Sequence, residues 1–165
     1  MQDKIDFLKY VPIFSELEEK TLEQISGLGI KKSFSRDSVI LFEHETGSAL
    51  FVIIKGKVKV SRVSDDGKEV ILTILNESDF FGEMAILDGM SRSANVTAME
   101  DSELFIVQRS EFLEMLHSHP EISVALLQEL TNRLRSADMK IKSLSLKDAE
   151  GKVATVPSGE HSRSA

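Results

Sequence analysis

The hydrophobic period of the chain changes twice along its length, and this constrains the fold more than any other feature. Between Ser38 and Gln108 the apolar residues fall in short β-rich runs: Val39 to Phe42, Leu50 to Ile54, Val58 to Val63, Val70 to Leu75, Ala94 to Met99 and Leu104 to Val107. These read as strands. Gly47, Gly56 and Gly67 punctuate them at intervals of 9 and 11 residues, and Asp65-Asp66-Gly67 is a turn sequence. No crossover helices separate the runs, so the pattern predicts an antiparallel sandwich, barrel or jelly roll rather than βαβ units.

Both flanks carry the helical period instead. Over residues 1–30, Ile5, Phe7, Leu8, Val11, Leu17, Leu22, Ile25 and Leu28 recur mostly three to four apart, with Ser15 placed as an N-cap. After Gln108, Ser110 is placed as the N-cap of a helix holding Phe112, Leu113 and Leu116, and Pro120 suits the first turn of a longer one. In that longer helix Leu127, Leu130, Leu134, Ala137, Ile141 and Leu144 are spaced 3, 4, 3, 4 and 3 apart, an a/d seam over nearly three heptads. Ile122 and Leu126 lie off this register and are expected to cover the sheet. Little chain follows the helix, so the seam is expected to pair with a second copy, giving a parallel homodimer through residues 127–144. From Val156 to Ala165 the chain is polar and breaker-rich and reads as a flexible tail.

The expected class is therefore mainly β with flanking helices. The chain of 165 residues is one domain's worth, enough to bury a single core. With 20 Lys and Arg against 27 Asp and Glu, the formal charge of -7 repels phosphate backbones. The absence of cysteine removes disulfides, thiolate metal sites and thiol nucleophiles. No run approaches a membrane span and the first residues do not form a signal peptide, so a cytoplasmic location without membrane contact is expected.

The chemistry concentrates between Phe80 and Ala94. Gly82 permits close backbone approach, and Glu83-Met84-Ala85-Ile86-Leu87 has the composition of one or two helical turns, whose free N–H groups attract an anion. Arg92 offers a bidentate guanidinium for phosphate oxygens and Ser93 a hydroxyl donor. Glu83, acceptor-only, suits a sugar hydroxyl. A ligand with both a phosphate and a ribose hydroxyl would use all of these groups together.

Phe81-Gly82-Glu83, a short apolar helix and then Arg92-Ser93-Ala94 resemble the phosphate-binding cassette of cyclic-nucleotide-binding domains. From about Phe7 to Val153 the order of elements is similar to the catabolite-activator (cyclic-AMP receptor and FNR) superfamily of bacterial regulators. The resemblance implies a cyclic-nucleotide-binding β-roll (double-stranded β-helix or jelly roll) with N-terminal helices over residues 1–119, a dimerisation helix over 120–147, and a hinge and tail over 148–165. It implies a sensor that couples a cyclic nucleotide, cyclic AMP first and cyclic GMP or another as alternative, to dimer-helix geometry and transcription, without a metal. It makes Glu83 the acceptor for the ribose 2′-hydroxyl, Gly82 and Met84 backbone contributors, and Arg92 with Ser93 the phosphate ligands. Where cyclic-AMP receptors present adjacent Thr and Ser to the adenine, this chain has Ala137 and Asp138, which places Asp138 near the base. The family continues into a helix-turn-helix, so DNA is expected to be read only through a domain missing from these residues. A stand-alone regulatory module acting on a protein partner is the alternative.

An enzyme is not expected. Glu43-His44-Glu45 invites a cupin-type metal site, but His44 is the one histidine of the β region. A haem site meets the same shortage of ligands, and no Gly-x-Ser-x-Gly turn supports nucleophilic catalysis.

Overall fold

The computed structural model describes residues 2–43, 49–89 and 94–151, with side chains described from Ile5 to Leu144 within those limits. Two helices open the chain, α1 (Gln2–Lys9) and α2 (Glu19–Ser26). The strands are β1 (Gly29–Phe34), β2 (Val39–Leu41), β3 (Ala49–Lys55), β4 (Val58–Val63), β5 (Glu69–Leu75), β6 (Phe80–Phe81), β7 (Asn95–Ala98) and β8 (Ser102–Gln108). The short α3 (Glu83–Asp88) lies between β6 and β7, and α4 (Arg109–Ser118) and α5 (Pro120–Gly151) follow β8. By contacts, the chain divides into two compact units, Met1–Leu126 and Leu127–Ala165.

In the first unit the strands form two antiparallel four-stranded sheets, ordered β1-β8-β3-β6 and β2-β7-β4-β5. Between them lie Ala49, Phe51 and Ile53 of β3, Leu104 and Ile106 of β8, Phe81, Val58 and Val96. The run Ala49 to Ile53 is buried throughout because β3 is covered on both faces. Leu50 and Val52 alternate to the face that the helices cover, where α4 contacts β3 and β8 and α2 contacts β1. There the Phe7 ring meets Phe105 edge-on at 5.3 Å. Phe14, Phe80, Phe105 and Phe112 are fully buried, each contributing on the order of 2–3 kcal/mol. Ile122 and Leu126 are buried in this unit, as their register predicts.

The expected strands all form. Two more appear. β1 reads Gly-Ile-Lys-Lys-Ser-Phe, with its four central residues exposed, and is an edge strand held by backbone pairing from Gly29 against Val107 to Phe34 against Ser102. Lysines blunt such an edge and hide it from a hydrophobic pattern. β6, at two residues, is too short to alternate. Both placed N-caps are corrected. The Ser15 hydroxyl donates to the Pro12 carbonyl at 3.2 Å, and α2 begins after Glu18. α4 begins directly after Gln108, the last residue of β8, so no linker is left in which Ser110 could cap.

In the second unit α5 continues through Gly151, the last described residue, past the expected end at 147, because Lys147, Ala149 and Glu150 are good helix formers. Leu127, Leu134, Ile141 and Leu144 are all more than 60% exposed. Among the described residues no helix is long and apolar enough to cross a membrane.

Candidate functional site

The site is built outward from the middle of β3. β6 pairs there, Phe51 opposite Phe81 and Val52 opposite Phe80. The Phe51 and Phe81 rings stack with centroids 5.0 Å apart and an interplanar angle of 2°. This anchors the chain immediately before Gly82, whose φ of 93° and ψ of -6° are left-handed and disfavour any side chain. The reversal at Gly82 starts α3 at once, with no side-chain cap.

α3 has a buried face, Glu83, Ala85 and Ile86, and an exposed one, Met84 and Leu87. Glu83 is only 4% exposed, an unusual place for a carboxylate. Its Oε2 accepts the Met84 N–H at 3.1 Å, on the first turn, where the helix dipole favours negative charge. Gly89, at φ 70°, ends the helix and donates its N–H to the Ala85 carbonyl at 3.0 Å. The described chain resumes at Ala94, 8% exposed, and enters β7 at Asn95.

Asn95 adds a feature that the sequence reading lacks. Its Oδ1 accepts the Glu43 N–H at 2.7 Å, and Arg62 Nε lies 3.4 Å from the Glu43 carboxylate. These contacts tie the chain just after β2 to its neighbour β7 and to β4, the next strand of the second sheet, beside the entry to β7. An Asn opening a strand was the available signal, but a polar residue there is too common to single out. The Glu43 carboxylate therefore serves an ion pair with Arg62. Among the described residues no three His, Asp or Glu side chains gather as a cation site. His44 and Glu45 lie outside the described residues.

Of the expected site residues, the structure brings Gly82, Glu83 and Met84 together in one reversal and one turn. Arg92 and Ser93 lie outside the described residues. Asp138 is in the second unit, on α5, with its side chain 63% exposed and its Oδ2 3.9 Å from Lys142 Nζ. A buried acceptor-only carboxylate behind a glycine reversal is suited chemically to holding a hydroxyl donor.

A family model described as "Cyclic nucleotide-binding domain" matches residues 31–119. The chain is 31% identical over 147 residues to a cyclic AMP receptor protein of Thermus thermophilus, covering 89% of this chain and 68% of that one. It is 32% identical over 149 residues to a CRP-like cAMP-activated global transcriptional regulator of Mycobacterium tuberculosis, covering 90% and 66% respectively. The crystal structure of the Thermus thermophilus catabolite activator protein superposes with a TM-score of 0.76 at 31% identity, over 87% of this chain and 67% of that one. The chain thus spans about two thirds of the length of these relatives, whose names describe regulators rather than enzymes. The sheet order, the glycine reversal into α3 and these matches agree, and the chain belongs to the cyclic nucleotide-binding domain family, in its branch of cyclic-AMP receptor (CRP) regulators.

Proposed function

We propose that the roll binds a cyclic nucleotide in the segment from Gly82 to Ala94 and that occupancy biases the geometry of α5 in a homodimer, with transcription as the output. Glu83 accepts the ribose 2′-hydroxyl, the Gly82 and Met84 backbone lines the sugar and phosphate, and Arg92 with Ser93 holds the cyclic phosphate. Cyclic AMP is the first candidate ligand, since both relatives above carry it in their names. Asp138 of the second copy stands near the base. Its carboxylate accepts from the adenine amino group, but the adjacent N1 and N2 donors of guanine offer a bidentate match that adenine lacks, so cyclic GMP competes.

The observation that carries this reading is the burial of Glu83 at 4% exposure directly behind the left-handed Gly82. The carboxylate already accepts the Met84 N–H, and as an acceptor-only group with two oxygens it can take a ribose hydroxyl as a further donor. The test is a thermal-shift screen of the full chain against cyclic AMP, cyclic GMP and cyclic dinucleotides. A ligand at one hundred times its Kd stabilises by about 2.7 kcal/mol, so at least one cyclic mononucleotide raises Tm. Asp138→Ser should move the balance toward cyclic AMP by about 1–2 kcal/mol, the scale of a hydrogen bond to a charged group. A flat screen overturns the binding proposal, and an unchanged cyclic-AMP to cyclic-GMP ratio in Asp138→Ser removes Asp138 from base recognition.

A further inference from the structure

The charges flanking the α5 seam carry information that the apolar positions alone do not. With Leu127, Leu134 and Ile141 at a and Leu130, Ala137 and Leu144 at d, the e positions are Thr131 and Asp138 and the g positions are Arg133 and Lys140. In a parallel, in-register pair, a g residue faces the e residue five positions later on the other helix. Arg133 of one copy then faces Asp138 of the other, and symmetry makes this contact twice. In an antiparallel pair g faces g, and the two g residues here are both basic, so that arrangement sets Arg133 and Lys140 against their like.

Within a single chain the ion-pair partners of both members, Glu129 at c and Lys142 at b, lie on the side away from the seam. Arg133 Nε lies 3.3 Å from Glu129 Oε2, and Asp138 Oδ2 lies 3.9 Å from Lys142 Nζ, each one turn away along the same helix. The Arg133 side chain is 29% exposed and that of Asp138 63%. A guanidinium has five donors and a carboxylate two oxygens, so each can keep its neighbour and take the cross-helix partner as well.

We infer that the Arg133–Asp138 pair across two copies of α5 encodes the orientation and register of self-association, and that the partner it fits is a second copy of this chain in parallel alignment. The inference rests on the homodimer reading of the seam and adds the device that selects one alignment.

Three measurements on the full chain test it. The chain has no cysteine, so Leu130→Cys places a single thiol at a d position, where dissolved oxygen, the electron acceptor, oxidises a parallel in-register pair to a disulfide-linked dimer without added cross-linker. Arg133→Glu sets acid against acid twice and Asp138→Arg sets base against base twice. Each alone should weaken self-association in sedimentation equilibrium by about tenfold or more. The two single variants mixed regain both attractive contacts and should form heterodimers in preference to either homodimer, while the double swap Arg133→Glu/Asp138→Arg recovers wild-type association. High salt should narrow these differences. A Leu130→Cys chain that cross-links, with charge variants that associate as tightly as wild type and mix at random, overturns the charge code but keeps the dimer. A wild type that stays monomeric throughout overturns the dimer reading and the code together.

Discussion

Gly56 separates backbone demand from side-chain chemistry most cleanly. It turns β3 into β4 at φ 114°, and an added Cβ would sit 2.1 Å from Ser102 Oγ and 2.8 Å from Ser102 Cα. Ser102 is itself fixed, donating its hydroxyl to the Glu100 carbonyl at 2.8 Å. Gly56→Ala should therefore destabilise by about 2–4 kcal/mol, from backbone strain and overpacking together. Urea denaturation measures this, and an unchanged midpoint would contradict it. Adding Ser102→Gly should recover the part due to the Ser102 side chain, but neither the contact with its Cα nor the strain. Glu83 is the opposite case, a residue whose cost is electrostatic. Glu83→Gln preserves the shape and keeps an acceptor oxygen but removes the charge, so it should weaken cyclic-nucleotide binding less than Glu83→Ala, by calorimetry on both variants. Equal affinities for the two would mean that the carboxyl end does not touch the ligand.

Among the strands, β5 of the β4–β5 hairpin is the most exposed. Every residue of β5 from Glu69 to Ile74 is exposed, and the hairpin turn is closed by Gly67 at φ 84°, with the Ser64 hydroxyl donating to the Asp66 carboxylate. Lys59 Nζ lies 2.9 Å from Glu69 Oε1, and this hydrogen bond, followed by that of the Ser61 hydroxyl, holds the Glu69 carboxyl below its ordinary value. A lowered folded-state value stabilises the hairpin above the ordinary carboxylate range, and that stabilisation is lost as pH falls through the lowered value. Lys59→Met should raise the Glu69 titration toward its ordinary position, leaving only the smaller Ser61 effect. Carboxyl NMR titration reads this directly, and an identical Glu69 titration in both proteins would contradict it.

The same comparison of elements shows what the sequence discloses. Strands with apolar alternation, the Gly67 turn and the a/d seam were legible because their periods are properties of the residues themselves. β1 was not, because Lys31 and Lys32 stand where a pattern reader looks for apolar residues. Ser15 and Ser110 have the right chemistry for capping but lose to tertiary placement, since the strand end at Gln108 and the turn at Pro12 fix where the helices start. At the site, the Gly82 reversal into a short helix at Glu83 was legible from composition, whereas a ligand role for Met84 comes only with the family resemblance. The Asn95–Glu43–Arg62 linkage was not, because it joins residues 52 apart and 19 apart through a sheet order that no local pattern reveals.

At the scale of the whole molecule, the apolar surface of α5 between Leu127 and Leu144 is too regular and too exposed to be incidental. Leu134→Glu sets two like charges in a desolvated seam and should shift the chain to monomer in sedimentation at micromolar concentration, with the β fold intact by circular dichroism. A Leu134→Glu chain that remains dimeric would move the interface elsewhere. Binding and assembly are linked in the proposed scheme, so a ligand that favours one helix geometry must shift dimer affinity by the same factor that the dimer shifts ligand affinity.

Calorimetric titration of cyclic AMP and cyclic GMP into the wild-type chain and into Arg92→Leu tests the central claim most directly. The account predicts saturable binding of at least one of them to wild type and, in a variant with an unchanged circular dichroism spectrum, a loss of about 2–5 kcal/mol from removal of a charge-assisted phosphate contact. Absence of binding by wild type, or equal affinity in a folded Arg92→Leu chain, would contradict it.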